Sequence, residues 1–109
     1  MSLRLFPIVL STLIVGALID PASALDRRVQ IVNLTGYVMV NFYASNVDAK
    51  TWEEDILGSD VLASGSSVMI NIDDGTGYCK YDFKAVFEDG EEVTKSQVNV
   101  CEVATFTFN

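Results

Sequence analysis

The sequence predicts an all-β domain: a small antiparallel β-sandwich or barrel of six to seven strands, with one short helix and one disulfide. Three observations predict it. Apolar and polar residues alternate with period two in several short runs. Turn-forming residues punctuate the chain at intervals of roughly ten residues, with no strand–helix–strand rhythm. Two cysteines, Cys79 and Cys101, lie downstream of an export signal.

That signal occupies residues 1–24. Arg4 supplies a positive charge, Leu5–Ile19 is apolar apart from Ser11 and Thr12, and Ala22-Ser23-Ala24 fits the small-x-small pattern, so cleavage is expected after Ala24. The apolar run is about 15 residues, short of the roughly 20 that a membrane-spanning helix needs. The mature product is therefore expected to be a single all-β domain over 25–109, periplasmic or secreted.

Removing the leader takes away Arg4 and Asp20, one of seven basic and one of fifteen acidic side chains, so the net charge stays at −8. The acids are interspersed among β-branched and aromatic residues, which indicates a folded domain rather than an acidic tail. No basic stripe exists to neutralise phosphates, so neither nucleic acid nor, after cleavage, an anionic membrane surface is an expected partner. A chain this short makes a marginal core and commonly needs a staple. An even pair of cysteines in an exported protein reads as a disulfide. Closing a loop of this size stabilises by roughly 3 kcal/mol in the chain-entropy model.

Along the mature chain, Val29–Leu34 is a β-branched run ending in Asn33-Leu34-Thr35-Gly36. Tyr37–Ala44 follows, with Val38, Val40, Phe42 and Ala44 on one face and Tyr37, Met39, Asn41 and Tyr43 on the other. Two strands across a glycine-containing turn predict a hairpin. In Ser45–Leu57, Thr51-Trp52-Glu53-Glu54 has capping-box spacing and Gly58 stands where a helix would stop. One or two helical turns are expected, packing Trp52 and Ile56 on the sheet, with a loop as the alternative. Gly58-Ser59-Asp60 and Ser64-Gly65-Ser66-Ser67 are turns around a short edge strand at Val61-Leu62. Val68, Ile70 and Ile72 then alternate with Met69 and Asn71 as a half-buried strand.

After the Asp73–Gly77 turn comes the most legible run. Cys79, Tyr81, Phe83, Ala85 and Phe87 share one face, and Tyr78, Lys80, Asp82 and Lys84 the other. Asp89-Gly90 predicts a hairpin turn that pairs Glu88 with Glu91. That register places Cys79 one residue short of Cys101, a difference that a bulge or a three-residue turn absorbs. A bulge also accounts for Val98 and Val100 sharing a face that Cys101 leaves. Val103–Phe108 closes the domain with Ala104, Phe106 and Phe108 on one face.

The chain contains no histidine, which excludes Ser-His-acid and Cys-His nucleophiles in their usual form. Ser64, Ser66 and Ser67 read as turn residues, since nothing in the sequence brings Lys80 or Lys84 to them. Glu53, Glu54 and Asp55 read as helix capping. Asp73 and Asp74, with Asn71 or Asp82, are a weak candidate for a divalent ion, because Asp-Asp-Gly-Thr-Gly lacks the alternating oxygen ligands of a calcium loop. No other metal ligands and no cofactor are expected. Glu88, Asp89, Glu91 and Glu92 crowd a solvated turn. Tyr37, Tyr43, Tyr78 and Trp52 are the candidates for a partner-binding surface, because aromatic side chains make efficient contact area, with packing against the short helix as the alternative.

Several of these residues together form a pattern: Asn33-Leu-Thr-Gly36, Trp52-Glu-Glu-Asp-Ile-Leu-Gly58, Gly65-Ser-Ser67, Cys79-Lys-Tyr-Asp-Phe83, Asp89-Gly90 and Asn99-Val-Cys101. Over nearly all of the mature chain this resembles a family of small exported proteobacterial proteins of uncharacterised function, built from units of some 80 residues. Phe83 stands where leucine is more usual and Glu53 where glycine often follows the tryptophan. The resemblance implies the fold and the disulfide and carries no activity. An argininosuccinate lyase label attached to some members fits neither this size nor these residues, because that enzyme is large and helical.

The expectation is a non-catalytic binding or structural module that engages a protein or envelope component through the sheet face near Trp52. One alternative is a periplasmic inhibitor that inserts the acidic turn at residues 88–92 into a cationic enzyme such as lysozyme. Another is a weak calcium-binding module using residues 71–75.

Overall fold

The strand with the clearest alternation lies at the centre of the domain. In the computed structural model, which describes residues 26–109, six strands form: β1 (Arg28–Asn33), β2 (Met39–Asn46), β3 (Ser67–Asn71), β4 (Lys80–Phe87), β5 (Glu92–Asn99) and β6 (Thr105–Phe108). The expected leader and its cleavage site lie outside the described residues. Two three-stranded sheets result, ordered β3-β1-β6 and β2-β4-β5. The fold is all-β and sandwich-like, and Cys79 and Cys101 are joined as a disulfide.

Tyr81, Phe83, Ala85 and Phe87 of β4 are buried as their alternation predicts. They face Val29 and Ile31 of β1, Ile70 of β3 and Phe108 of β6, and these residues belong to one hydrophobic cluster. Ring pairs join the two sheets edge to face: Phe83 with Phe106 at 5.3 Å, and Phe42 with Phe108 at 6.2 Å. Such geometry sets the positive ring edge against the negative face of its neighbour.

The expected β1–β2 hairpin does not form. β1 and β2 sit in opposite sheets, and residues 33–38 turn a corner between them. Asn33 holds that corner. Its fully buried side chain donates through Nδ2 to the carbonyls of Tyr37 (2.8 Å) and Leu62 (2.9 Å), and Oδ1 accepts from the Thr35 amide and hydroxyl. Gly36, at φ +87°, takes the left-handed conformation that the corner requires. The driving force is the core itself. Val29 and Ile31 bury by facing Met39 and Phe42 across a sandwich, which a shared sheet would not allow.

β2 also departs from simple alternation. Its register against β4 shifts between Met39 and Asn41, so Val40 is an extra residue in a bulge. The shift turns Met39 inward together with Phe42, whereas strict period two would set them on opposite faces. Val61-Leu62 contributes a single bridge, Leu62 to Met39, rather than a strand.

The short helix expected in Ser45–Leu57 is absent; Ser45 and Asn46 end β2 and the rest of the segment is irregular. Glu53 has φ +63°, incompatible with a helical turn there. Asp55 organises the segment instead. Its Oδ1 accepts from the Phe42 and Leu57 amides (2.8 and 3.1 Å), its Oδ2 accepts from Asn41 Nδ2 (2.7 Å), and the Ile56 amide donates to the Phe42 carbonyl. These bonds satisfy outward-facing polar groups at the free side of β2, an alternative that competes with helix formation.

The β4–β5 connection uses a three-residue turn, Glu88–Gly90, with Phe87 paired to Glu91 and Gly90 at φ +88°. Glu88 therefore does not pair with Glu91. A bulge follows in β5: Phe83 faces Lys95, but Tyr81 faces Val98. Gln97 takes φ +55° there and donates its amide to Asp82. This bulge turns Val98 and Val100 inward and brings Cys101 within 5.3 Å (Cα–Cα) of Cys79.

β6 joins β1 in parallel, with Ile31 opposite Phe106, so its sheet is mixed rather than antiparallel. The disulfide end of β5 lies beside the start of β1, where Arg27 donates to the Tyr78 and Gly77 carbonyls. A chain crossing to the other sheet at that end must run in the same direction as β1.

Two stability outcomes follow. The Cys79→Ser/Cys101→Ser double variant loses about 3 kcal/mol in urea unfolding. Asn33→Ala loses about 2 kcal/mol, because buried carbonyls are left without donors; the neighbouring exposed Leu34→Ala, measured in the same way, changes little.

Candidate binding site

The four aromatic residues singled out from the sequence do not form one surface. Tyr43 on β2 and Trp52 in the following loop come together, with ring centroids 6.4 Å apart. Lys84, opposite Tyr43 on β4, places its ammonium 5.0 Å from the Tyr43 ring and 5.4 Å from the Trp52 ring. The cation is attracted by the ring quadrupoles, so the face is partly covered by its own lysine. Tyr78 lies just before β4 and donates its hydroxyl to Asp48 at 2.6 Å. That bond, together with the Asp48 charge, raises the Tyr78 pKa. Tyr37 stands separately, exposed on the corner after Gly36.

The acidic candidates are largely engaged in the architecture. Asp74 accepts hydrogen bonds from the Thr76 amide and hydroxyl, from the Tyr81 hydroxyl (2.7 Å) and from Asn46 Nδ2 (3.0 Å). Partial burial alone would raise its pKa, but the bonds from Thr76, Tyr81 and Asn46 outweigh that and hold it far below the usual carboxylate range. Asp73 accepts from the Gly75 amide, and Asn71 from the Asp73 amide. Among the described residues no group of three or more His, Cys, Asp or Glu side chains is placed to hold a metal ion. In the acidic turn, Glu88 accepts from the Val38 amide and Asp89 from the Glu91 amide. Ser64 accepts from the Gly36 amide and Ser67 from Gln30, both as braces between segments.

A groove that the sequence did not reveal runs along β3. Among the described residues, β3 is an edge strand bonded only to β1. The bonds from the Asn33 amide to Ser66 and from the Ile72 amide to Arg27, with Val68 opposite Ile31 and Ile70 opposite Val29, set the phase. Val68 and Ile70 use their main-chain groups on β1, so those of Ser67, Met69 and Asn71 point to the open side. The facing wall is the segment 56–62, held by Asp55 at one end and by the Leu62–Met39 bridge at the other. Between them lies an open groove of about 780 Å³, lined by Ile56, Leu57, Val61, Leu62, Val68 and Met69, with Asp60 and Asn71 among its polar margin. Met69 is 59% exposed and Val61 57%.

A second recess of about 370 Å³ shares Ile56 and Asn71 with this groove and extends it past the end of β3. Trp52, Glu53, Glu54, Asp73 and Asp74 line it. Among the described residues, no lysine or arginine lines either hollow. The alternation of β3 predicts Met69 and Asn71 on the outer face of a half-buried strand; the opposing wall comes from a segment with no periodicity, so no local pattern announces it.

Comparison of the chain with protein-family models, with curated proteins and with solved structures returned no match. The reading of the site therefore rests on its own geometry.

The Asp74 network makes stability depend on pH. The folded state holds this proton less tightly than the unfolded chain, so its contribution is complete above an ordinary aspartate pKa of about 4 and is lost as the pH falls below it. Asp74→Asn is accordingly less stable than wild type at pH 7 in urea unfolding, and the gap narrows at pH 3.

Proposed function

We propose that the mature chain is an exported, non-catalytic binding module that takes a protein partner along the open edge of β3. The observation that carries this reading is the exposure of Ile56, Val61 and Met69 around a groove whose floor is an unpaired strand edge. Soluble proteins usually guard such an edge with lysine, proline or a covering loop. β3, Ser67-Val-Met-Ile-Asn71, has none of these residues and leaves the methionine outward. Apolar surface beside free main-chain donors and acceptors is the chemistry of an interaction site.

Export is supported by the leader-like N-terminus and by a disulfide of the kind that persists in oxidising compartments. The absence of histidine from the sequence and the engagement of Asp55, Asp74, Glu88 and Asp89 in structural bonds support a non-catalytic role. The groove also keeps Trp52 near the partner, through the adjoining recess. The acidic turn is the weaker contact surface, because Glu88 is tied to the Val38 amide and Asp89 to the Glu91 amide.

Met69→Glu and Val61→Glu, both exposed, keep stability within about 0.5 kcal/mol of wild type. In affinity capture from the compartment that receives the protein, each loses its partner at least tenfold, while Tyr37→Ala keeps it. Capture of the same partner by all three variants and wild type would remove the groove from consideration.

A further inference from the structure

Resting on that reading, we infer that the partner enters as an extended segment that adds a fourth strand to the open edge of β3, with alternate apolar side chains in the groove and lysine or arginine in the acidic recess beyond it. Three features of the surface select this occupant. The first is the phase of β3. The main-chain groups of Ser67, Met69 and Asn71 face outward at the spacing of a strand and lack a strand partner among the described residues. An incoming strand satisfies them directly, whereas a helix, with its main-chain groups bonded internally, cannot.

The second feature is the division of the hollow along its length. Its wider part carries Val61, Leu62, Val68 and Met69; its far part carries Glu53, Glu54, Asp73 and Asp74, and Asp60 adds a fifth acid at the margin of the wider part. The extended distance from Met69 to Asp73 is roughly 13 Å at the rise of a strand. A segment of about six residues therefore spans both parts, with its basic residues about four positions from an apolar anchor.

The third feature is charge. Among the described residues, five acids and no base line the combined hollow. A cationic segment gains from that field, both in encounter rate and in orientation. A second copy of this chain would bring the same acids against them, on a protein whose net charge is already −8, so self-association through this edge is opposed. Two of the acids, Glu53 and Glu54, are exposed and make no hydrogen bond or ion pair among the described residues, so they are available to a ligand. Asp74 is not, since its oxygens are occupied by Thr76, Tyr81 and Asn46.

The probes are capped peptides Lys-Lys-Thr-Val-Thr-Val and the same sequence reversed, with matched peptides carrying glutamate for lysine. Titration into the mature, disulfide-bonded protein, followed by amide hydrogen exchange and nuclear magnetic resonance, reads both affinity and place. One basic peptide, in whichever direction fits, binds at least tenfold more tightly than its acidic counterpart, and the difference shrinks at high salt. On binding, the Met69 and Asn71 amides gain protection, while the Val68 and Ile70 amides, already bonded to β1, do not. Glu53→Gln/Glu54→Gln weakens the basic peptide severalfold without altering the thermal midpoint; Met69→Glu abolishes binding. Equal affinity for basic and acidic peptides overturns the inference, as does protection confined to the Tyr43–Lys84 face. So does a concentration-dependent dimer, in sedimentation, that Met69→Glu disperses. If no peptide binds while Met69→Glu still loses the captured partner, the binding-module reading stands and the extended, basic occupant is wrong.

Discussion

Tyr81, Phe83, Ala85 and Phe87 project from β4 into the gap between the sheets, and the placement of every other element follows from covering them. Phe83 meets Phe106 and Phe42; Phe87 meets Phe108. A strand with this much apolar surface on one side cannot be covered by its own sheet. It needs an opposing layer, and β1, β3 and β6 form that layer. The bulge at Val40 and the bulge around Gln97 are local adjustments that turn Met39, Val98 and Val100 toward the same gap. The disulfide joins the ends of β4 and β5 where the chain leaves this core for the opposite sheet.

So small a core leaves the corners to polar side chains. Asn33 fixes the passage from one sheet to the other, Asp55 anchors the loop after β2, and Asp74 ties the turn before β4 to Tyr81. Each acts as a short side chain that satisfies main-chain or hydroxyl groups near it, in place of a regular element. The consequence for function is twofold. Much of the acidic complement becomes structural: of the five acids lining the hollow, Asp74 is engaged on several sides and Asp73 accepts from Gly75, which leaves Glu53, Glu54 and Asp60. The loop that Asp55 positions also ends its run at a single bridge to Met39, short of β3, and so leaves an open groove beside an uncovered edge.

The aromatic pair Tyr43–Trp52 illustrates how a surface predicted for recognition can be partly self-satisfied. Lys84 lies over both rings, and Trp52 is half-buried. What Trp52 adds to binding is a wall of the recess beyond Ile56. The spatial neighbour of the groove, rather than the ring face itself, links the sequence expectation near Trp52 to the geometry.

The amino-acid sequence alone determined the elements whose cause is local. The period-two stripe of β4, the turn around Gly90, the pairing of Cys79 with Cys101 and the all-β class all depend on residues near one another in the chain, or on a single possible partner. Sheet membership was not legible in the same way. Whether β1 pairs with β2 or faces it, and whether β6 runs parallel to β1, depends on which arrangement buries Val29, Ile31, Met39, Phe42 and Phe108 together, a sum over distant contacts. The capping-box spacing at Thr51 was a correct local pattern overridden by Asp55, whose partners Asn41 and Phe42 lie more than a helical turn away in sequence. The groove depended entirely on the tertiary structure. One wall is an edge strand and the other an aperiodic loop, and a hollow between two segments exists only once long-range packing has brought them side by side.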